Sequence, residues 1–353
     1  MKKIQYILII LTLTIGLVGC TKLDEEVYDK IPENNFPEND SQAALNVVPT
    51  YQALAPLIDD AGWWFWAQEV TSDEIVFPVR LTDWDDGGKW RVLHQHAWDN
   101  NTNAVNSMWS HLYDGVFEAN KAIDLLPESS DDAALALKAK LIAMRTFYYY
   151  LLIDNYGDVP YVTSYLDAPE QPTKELRATI FNSIVAELEQ NTQYLPVSGN
   201  NFSVTKGMAF TLLAKLYLNA EVYTGIPDWE KAGVYCDSVM NLNYLLQSNP
   251  LDPFLADNAA SPENIFTIPF DESDLKGLRI HMRTLHYLSS QTYNMVAGPW
   301  NGFAAVEDHY KTFESNDLRK EGFLVGPQFS STGEALFDET AEADLNFDPH
   351  IPA

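Results

Sequence analysis

Residues 133–156 read AALALKAKLIAMRTFYYYLLIDNY, and this stretch decides the fold class of the chain. Its large apolar side chains recur every three or four positions, which is the spacing of one face of an α-helix. They are Leu137, Leu141, Met144, Tyr148, Leu151 and Leu152. Gly157 follows, and glycine is the residue that most often ends a helix in the left-handed conformation. The stretch therefore predicts one long helix with a wide buried face.

Other segments repeat this spacing. They are residues 104–126, 173–194, 205–224 and 228–246, with a shorter pattern at 41–58 that Pro49 interrupts. Short turns join the helices into antiparallel pairs, and small residues alternate with large aromatic ones around residues 214–240, as in tetratricopeptide repeats. The sequence predicts a mostly α fold in which tetratricopeptide-like hairpins form a superhelical scaffold, with long ordered loops and a few short strands.

Two regions lack a steady helical period. Residues 59–103 contain six tryptophans and a turn-forming cluster at 83–88, so we expect an ordered loop insert with short strands. Residues 263–270 alternate like a strand, and residues 304–313 favour a helix in an otherwise Gly- and Pro-rich region. We therefore divide the chain into a helical region at 41–260 and a loop-rich, ligand-binding region at 261–353.

The N-terminus has the features of a secretory signal. Lys2 and Lys3 precede fifteen largely apolar residues, a stretch too short for a settled transmembrane helix. The stretch ends in Leu17-Val18-Gly19-Cys20, which resembles a bacterial lipobox. The sequence thus predicts a signal peptide at 1–19, lipidation of Cys20 and a polar tether at 20–40. The alternative is an ordinary secretory signal with a chance cysteine.

Composition excludes several classes of function. The net charge of −28 argues against binding nucleic acid and against electrostatic attachment to anionic lipid. Cys236 is the one cysteine besides Cys20, so we expect no disulfide within the mature chain and a small, buried apolar role for Cys236. His94 and His96 lack a third ligand at a recognisable spacing, and the aspartates at 83–86 lack the spacing of an EF-hand. We expect no metal or cofactor, although a calcium ion of another kind at these aspartates stays an alternative.

The order of several short motifs resembles the SusD/RagB family of surface lipoproteins. Besides the lipobox followed by Leu23-Asp24, the motifs are EVTSDE at 69–74, RTFYYY at 145–150, YGDVP at 156–160, AKLYLNA at 214–220, YTG at 223–225, ENIFTIPF at 263–270, WNGF at 300–303 and NDLR at 316–319. Family members continue well past this length, with another helical repeat, so the resemblance implies that the sequence is truncated at its C-terminus.

The resemblance implies a function. Such proteins are anchored on the outer surface of the outer membrane and act as a lid on a TonB-dependent, SusC-like transporter. They capture oligosaccharides, or peptides in some members, and do not cleave them. The resemblance thus implies a binding protein rather than an enzyme. A peptide-binding member of the family and, as a third reading, a surface glycosidase remain the alternatives.

Sugars bind to flat aromatic faces flanked by hydrogen-bonding groups. In the family's starch-binding namesake, a tryptophan with a nearby amide or acid and an aromatic beside an Asn-Gly pair contact the ligand. The matching candidates here are Trp84 with Asp85 or Asp86, then Trp300, Asn301 and Phe303, with Tyr293 and Tyr287 as weaker ones. The competing interpretation is that Trp84 packs on the body and that residues 300–303 form a buried turn anchor. For the aromatic run at 63–66 we favour core filling and transporter contact.

Overall fold

The computed structural model describes residue 45 and residues 47–58, 63–80, 83–270 and 277–349. The predicted signal peptide, Cys20 and the tether at 20–40 lie outside the described residues.

Helices account for most of the regular structure in the described ranges. They are α1 (Val47–Gln52), α2 (Ala55–Ile58), α3 (Trp64–Val70), α4 (Lys89–His94), α5 (Asn103–Asp124), α6 (Asp132–Tyr156), α7 (Arg177–Asn191), α8 (Lys206–Leu218), α9 (Ala220–Thr224), α10 (Trp229–Met240), α11 (Ile280–Thr284), α12 (Ser289–Tyr293) and α13 (Glu307–Thr312). Short 3-10 turns lie at Asp86–Gly88, Thr192–Tyr194, Asp252–Phe254 and Leu318–Gly322. None of these helices has the length and apolar character that a membrane span requires. The predicted mostly α fold is confirmed.

The strands are two residues long and pair in antiparallel twos. They are β1 (Ile75–Val76), β2 (Val159–Pro160), β3 (Lys174–Glu175), β4 (Ala304–Ala305), β5 (Gly326–Pro327), β6 (Phe337–Asp338), β7 (Ala343–Asp344) and β8 (Asn346–Phe347). The pairs are β1 with β4, β2 with β3, β5 with β8 and β6 with β7. The first of these joins segments that lie more than two hundred residues apart in the sequence.

Helix α6 is the centre of the scaffold. It packs against α5 and α7 on different sides and also contacts α1, so its buried residues surround the helix instead of forming one stripe. The main core consists of buried side chains from α5, α6, α7 and α8. Where α5 crosses α6, a Cβ at Gly115 would lie 2.3 Å from the ring of Tyr148, so only glycine permits this approach.

A buried arginine ties three helices to one loop. Arg145 on α6 donates to the Asn120 side chain on α5 and to the Thr163 carbonyl, each at 2.7 Å, and forms an ion pair with Glu187 on α7. Asn120 in turn donates to the Val162 carbonyl at 2.8 Å. Because the Arg145 side chain is only 4% exposed, its charge is neutralised by these partners rather than by water.

Several boundaries differ from the predicted ones for local reasons. Helix α7 begins at Arg177, later than predicted, because Lys174 and Glu175 pair with β2 as a strand. Asn219 separates α8 from α9 within the predicted helix at 205–224. The predicted strand at 263–270 is wrong: this fully described segment has no strand, and its apolar residues lie against the main core.

Cys236 is exposed, so the prediction of a buried cysteine is wrong. It lies on α10, where Ala232 is the one buried residue and Trp229 and Met240 are exposed. Helix α10 packs mainly on α8. Because most of the surface of α10 is uncovered, helical spacing alone does not show which of its residues are buried.

The aromatic segment predicted as loop also contains helices α3 and α4. They bury Trp63, Trp66 and Trp90, which form a second core with Phe77 and Phe303 that we call the aromatic core. The Trp66 and Phe303 rings stack with centroids 4.6 Å apart. Core filling is therefore confirmed for Trp63 and Trp66.

Candidate functional site

The structure brings together the two tryptophan turns that the sequence singled out separately. The indole N–H of Trp84 donates a hydrogen bond to the main-chain carbonyl of Trp300. The side-chain amide of Asn301 lies 3.4 Å from a carboxylate oxygen of Asp83, the residue before Trp84. Both indoles are half-buried, and Trp84 packs against the aromatic core. We call Trp84, Trp300, Asn301, Asp83 and Tyr287 the indole site.

Tyr287 is the third aromatic side chain of the indole site. It is 41% exposed, and its hydroxyl donates to Asp83. Partial burial, followed by the neighbouring Asp83 carboxylate, raises the pKa of Tyr287 to about 12, so the hydroxyl stays protonated at neutral pH. Tyr293 is exposed at the end of α12, but the hydrogen bond to Asp83 is made by Tyr287. Of the two tyrosines, Tyr287 is thus the one tied to the tryptophan pair.

The turn at Trp300 is held by main-chain bonds to α11 and the residue that follows it. Trp300 N–H donates to the Met282 carbonyl at 2.6 Å, and Asn301 N–H donates to the Leu285 carbonyl at 3.0 Å. Asn301 has a φ of 53°, a left-handed conformation that asparagine tolerates better than most residues. Arg80 donates to the carbonyls of Asn301 and Gly302 at 2.7 and 2.9 Å. The turn is therefore held by the main chain of residues 282–285 and by the Arg80 side chain, without any ligand.

Gly302 and Phe303 occupy the inner side of this turn. The Phe303 ring is only 4% exposed, within the aromatic core, so its face is not available for stacking on a ligand. Phe303 thus matches the buried turn anchor that was the competing interpretation. A Cβ at Gly302 would lie 2.6 Å from the Arg283 carbonyl oxygen. The backbone at this point therefore has no space for a side chain.

The aspartates of the Trp84 turn are engaged with the protein. Asp85 caps the 3-10 turn by accepting from Gly87 N–H at 3.0 Å and lies 3.4 Å from Arg91. Asp86 accepts from the Trp90 indole N–H at 3.0 Å and pairs with Lys89 at 2.7 Å. Although burial acts in the opposite direction, these partners hold the pKa of Asp86 below its ordinary value. Both carboxylates therefore shape the turn that carries Trp84.

Arg283 lies beneath the indole site. Its guanidinium carbon is 5.2 Å from the Trp300 ring centroid and 5.9 Å from that of Trp84. The same group is 5.0 Å from the Trp90 centroid and 5.8 Å from that of Trp66, both in the aromatic core. Sequence patterns missed Arg283 and Arg80, because neither belongs to a periodic segment or to a motif.

His94 and His96 lie at the C-terminal end of α4. His94 Nδ1 is 3.4 Å from the Val70 carbonyl, and His96 Nε2 is 2.8 Å from the Thr71 carbonyl. Both contacts connect α4 to the end of α3. Within the described ranges, no group of three or more His, Cys, Asp or Glu side chains is arranged to hold a metal ion.

A pocket of about 460 Å³ lies beside the indole site, shares Asn301 with it and is also lined by Arg80. His286 also lines this pocket. Its Nδ1 accepts from Leu288 N–H at 3.2 Å, and its Nε2 is 3.7 Å from Asp338. Burial, which outweighs the attraction of Asp338, lowers the pKa of His286 below its ordinary value. The folded protein therefore favours the neutral imidazole.

This preference predicts a pH-dependent stability. Because the folded-state pKa is lowered, the contribution of His286 is complete above the unfolded-state pKa of about 6.5 and is lost as the pH falls. We expect the difference in unfolding free energy between wild type and His286→Asn to shrink between pH 7.5 and pH 5. Urea unfolding at several pH values measures it, with exposed His281→Asn as the control. A difference that stays constant over this range would contradict the prediction.

Comparison with known proteins finds similarity to SusD-like proteins. A SusD-like family model, described as "Starch-binding associating with outer membrane", matches residues 66–218. The chain is 27% identical to SusD-like protein P2 of Formosa agariphila, over 99% of this chain and 70% of that protein. It is also 27% identical to starch-binding protein SusD of Bacteroides thetaiotaomicron, over 55% of this chain and 34% of SusD. The match with SusD thus spans about a third of that protein.

Solved structures agree on the fold. Surface glycan-binding protein A from Bacteroides thetaiotaomicron, solved with laminarihexaose, superposes with a TM-score of 0.65 at 22% identity. The superposition covers 80% of this chain and 62% of that one. The matched family model and the two relatives are SusD-like proteins, and the helical fold is shared with the glycan-binding protein. The family model and the two relatives support membership of the SusD/RagB family.

Proposed function

We propose that this protein is a lipid-anchored, surface-exposed protein of the outer membrane that captures oligosaccharides and delivers them to a SusC-like, TonB-dependent transporter. The observation that carries the proposal is the direct hydrogen bond from the Trp84 indole to the Trp300 main chain, which brings two turns with half-buried tryptophans together. The anchor would be Cys20, through the lipobox at 17–20.

The chemistry of the indole site suits an uncharged sugar. Indole faces offer apolar contact area for sugar C–H groups and lose little conformational entropy on binding, because each side chain has only two rotatable bonds. Around them, Asn301 supplies an amide and Tyr287 a protonated hydroxyl, both already oriented by Asp83. Such a site binds through shape and hydrogen bonds and needs no net charge on the ligand.

The relatives support the same class of ligand. One is described as starch-binding, a structural neighbour holds laminarihexaose, and a further neighbour is described as laminarin-binding. The matching family description places its members at the outer membrane. Because the chain spans about a third of SusD and 62% of the glycan-bound neighbour, their ligands are guides to the probes to be used here.

The carboxylates beside Trp84 do not favour a glycosidase. A general acid in such an enzyme needs a raised pKa and a second carboxylate facing it across the sugar. Asp86 has a lowered pKa, and Asp85 serves as a cap. Asp83 accepts from Tyr287 and Asn301. All three carboxylates are thus occupied in building the site.

Alanine substitution of either indole tests the proposal. We expect Trp84→Ala and Trp300→Ala each to weaken binding of maltohexaose or laminarihexaose by about tenfold or more, as for central aromatic contacts in other interfaces. Titration calorimetry measures the affinity. Trp98→Ala is the control, because this exposed tryptophan pairs with His96 and not with the indole site.

Two results would count against glycan capture. One is unchanged affinity in both indole variants. The other is binding of peptides, but of neither oligosaccharide, at the intact site. Release of shortened sugars from the wild-type protein would instead support the glycosidase alternative.

A further inference from the structure

We infer that Arg283 is a positioning residue for glycan binding, which holds the Trp84 and Trp300 rings against the aromatic core. This inference rests on the proposed function, since it concerns the same site. It adds a residue that no motif indicates and that does not belong to the ligand-facing surface, because Arg283 is only 6% exposed.

The side chain of Arg283 is shared between two sets of rings. Trp66 and Trp90 belong to the buried aromatic core, whereas Trp84 and Trp300 reach solvent. The guanidinium carbon lies within 5.9 Å of all four ring centroids. Attraction between a cation and an aromatic face is strongest for tryptophan and increases as the cation loses water. One buried charge therefore links the two half-buried rings to the fully buried ones.

The main chain of Arg283 holds the same turn. Its carbonyl oxygen accepts from Gly302 N–H at 3.0 Å and from Phe303 N–H at 2.8 Å. These bonds fix the segment that directly follows Trp300. The side chain and the main chain of a single residue thus fix the position of Trp300 from two directions.

Electrostatics connects Arg283 to the Trp84 turn as well. The positive charge of Arg283 contributes to the stabilisation of the Asp86 carboxylate. Asp86 is two residues after Trp84 and accepts from the Trp90 indole N–H. The guanidinium therefore interacts with two groups of the Trp84 turn, the Trp84 ring and the Asp86 carboxylate.

Removing the guanidinium should leave every ligand-facing group in place while loosening its orientation. Preorganised rings bind a ligand more tightly because less motion is lost on binding. Arg283→Met keeps the apolar stem and removes the charge. Arg283→Lys keeps a cation for the rings but loses the planar guanidinium. We therefore expect a graded loss of affinity, larger for methionine than for lysine.

The experiment uses the mature chain and two readouts. Calorimetry gives the affinity for maltohexaose and laminarihexaose, and amide hydrogen exchange gives the local opening of residues 83–88 and 300–303. We expect Arg283→Met to bind about tenfold more weakly and to exchange faster in those two segments, with α5 to α8 unchanged. Arg283→Lys should fall between wild type and methionine. Arg279→Met, an exposed arginine four residues earlier, is the matched control.

The outcomes separate the inference from the proposed function. Wild-type affinity and wild-type exchange in Arg283→Met would overturn the inference, and so would faster exchange throughout α5 to α8. If wild type binds neither oligosaccharide, glycan capture fails for these probes, and the exchange data alone decide whether Arg283 orders the two turns. If the methionine variant does not fold, the lysine variant decides by the same two readouts.

Discussion

Replacing Arg145 by methionine is expected to lower the free energy of unfolding by about 3 kcal/mol, the lower end of the range for breaking a buried ion pair. The lower end applies because Glu187, the ionic partner, is partly exposed and can be hydrated after the change. The rest of the cost comes from the Asn120 side chain and the Thr163 carbonyl, which each lose a charged donor at 2.7 Å.

The size of this effect follows from position. Arg145 connects α6, at the centre of the scaffold, to α5, to α7 and to the loop after β2. Methionine keeps much of the apolar volume of the stem, so lost packing contributes little. Chemical denaturation with urea measures the change.

A surface ion pair provides the control for Arg145. Lys174→Met removes the pair with Asp158, in which the lysine is largely exposed and the atoms are 3.7 Å apart. Exposed pairs of this kind contribute about 0–1 kcal/mol. A loss below about 1 kcal/mol for Arg145→Met, equal to that of Lys174→Met, would show that the buried network does not stabilise the helices.

Gly302→Ala is expected to abolish most glycan affinity although it removes no atom that faces the ligand. The new Cβ would lie 2.6 Å from the Arg283 carbonyl, 3.2 Å from Trp84 Cζ2 and 3.3 Å from Phe77 Cε2. Trp84 belongs to the indole site and Phe77 to the aromatic core beneath it. The nearest neighbour, the Arg283 carbonyl, is backbone and cannot rotate away. The turn must therefore move, and Trp300 moves with it.

We expect the affinity for maltohexaose to fall by more than about tenfold, with an unfolding free energy lower by about 1–3 kcal/mol, as overpacking commonly costs. Gly298→Ala is a matched control, because its Cβ would meet only the Tyr287 carbonyl, at an ordinary 3.7 Å. Binding by Gly302→Ala at wild-type strength would refute the role assigned to this turn.

Much of the helical scaffold could be predicted from the sequence. The spacing of apolar residues at 133–156 and the glycine at 157 place α6 within one residue of its observed bounds. The apolar spacing at 173–194 predicts the next helix too early, because the strand formed by Lys174 and Glu175 depends on a partner outside that segment. The spacing of apolar residues reflects the local helix, whereas the pairing of Lys174 and Glu175 with β2 has no counterpart in that spacing.

The same reasoning explains what the sequence revealed of the site. Trp84 and Trp300 are candidates because the family resemblance matches them to aromatic residues that contact sugar, and Trp84 also lies in a turn-forming cluster. Their hydrogen bond could not be foreseen, because it joins residues 216 positions apart. Phe303 is a candidate because the resemblance implies a ligand-contacting aromatic beside the Asn-Gly pair, yet its ring lies in the aromatic core. Whether Trp84, Asp85, Asp86, Tyr293, Trp300 and Asn301 contact a sugar stays a prediction.

The pairing of β1 with β4 bears on the order in which a newly made molecule matures. Helices α5 to α8 depend on contacts between near neighbours in sequence, which form quickly. The pairing of Ile75 with Ala305, like the hydrogen bond from the Trp84 indole to the Trp300 main chain, can form only after the later segment has been synthesised. The indole site is therefore completed only after residues 300–305 have been synthesised, when helices α5 to α8 can already have formed.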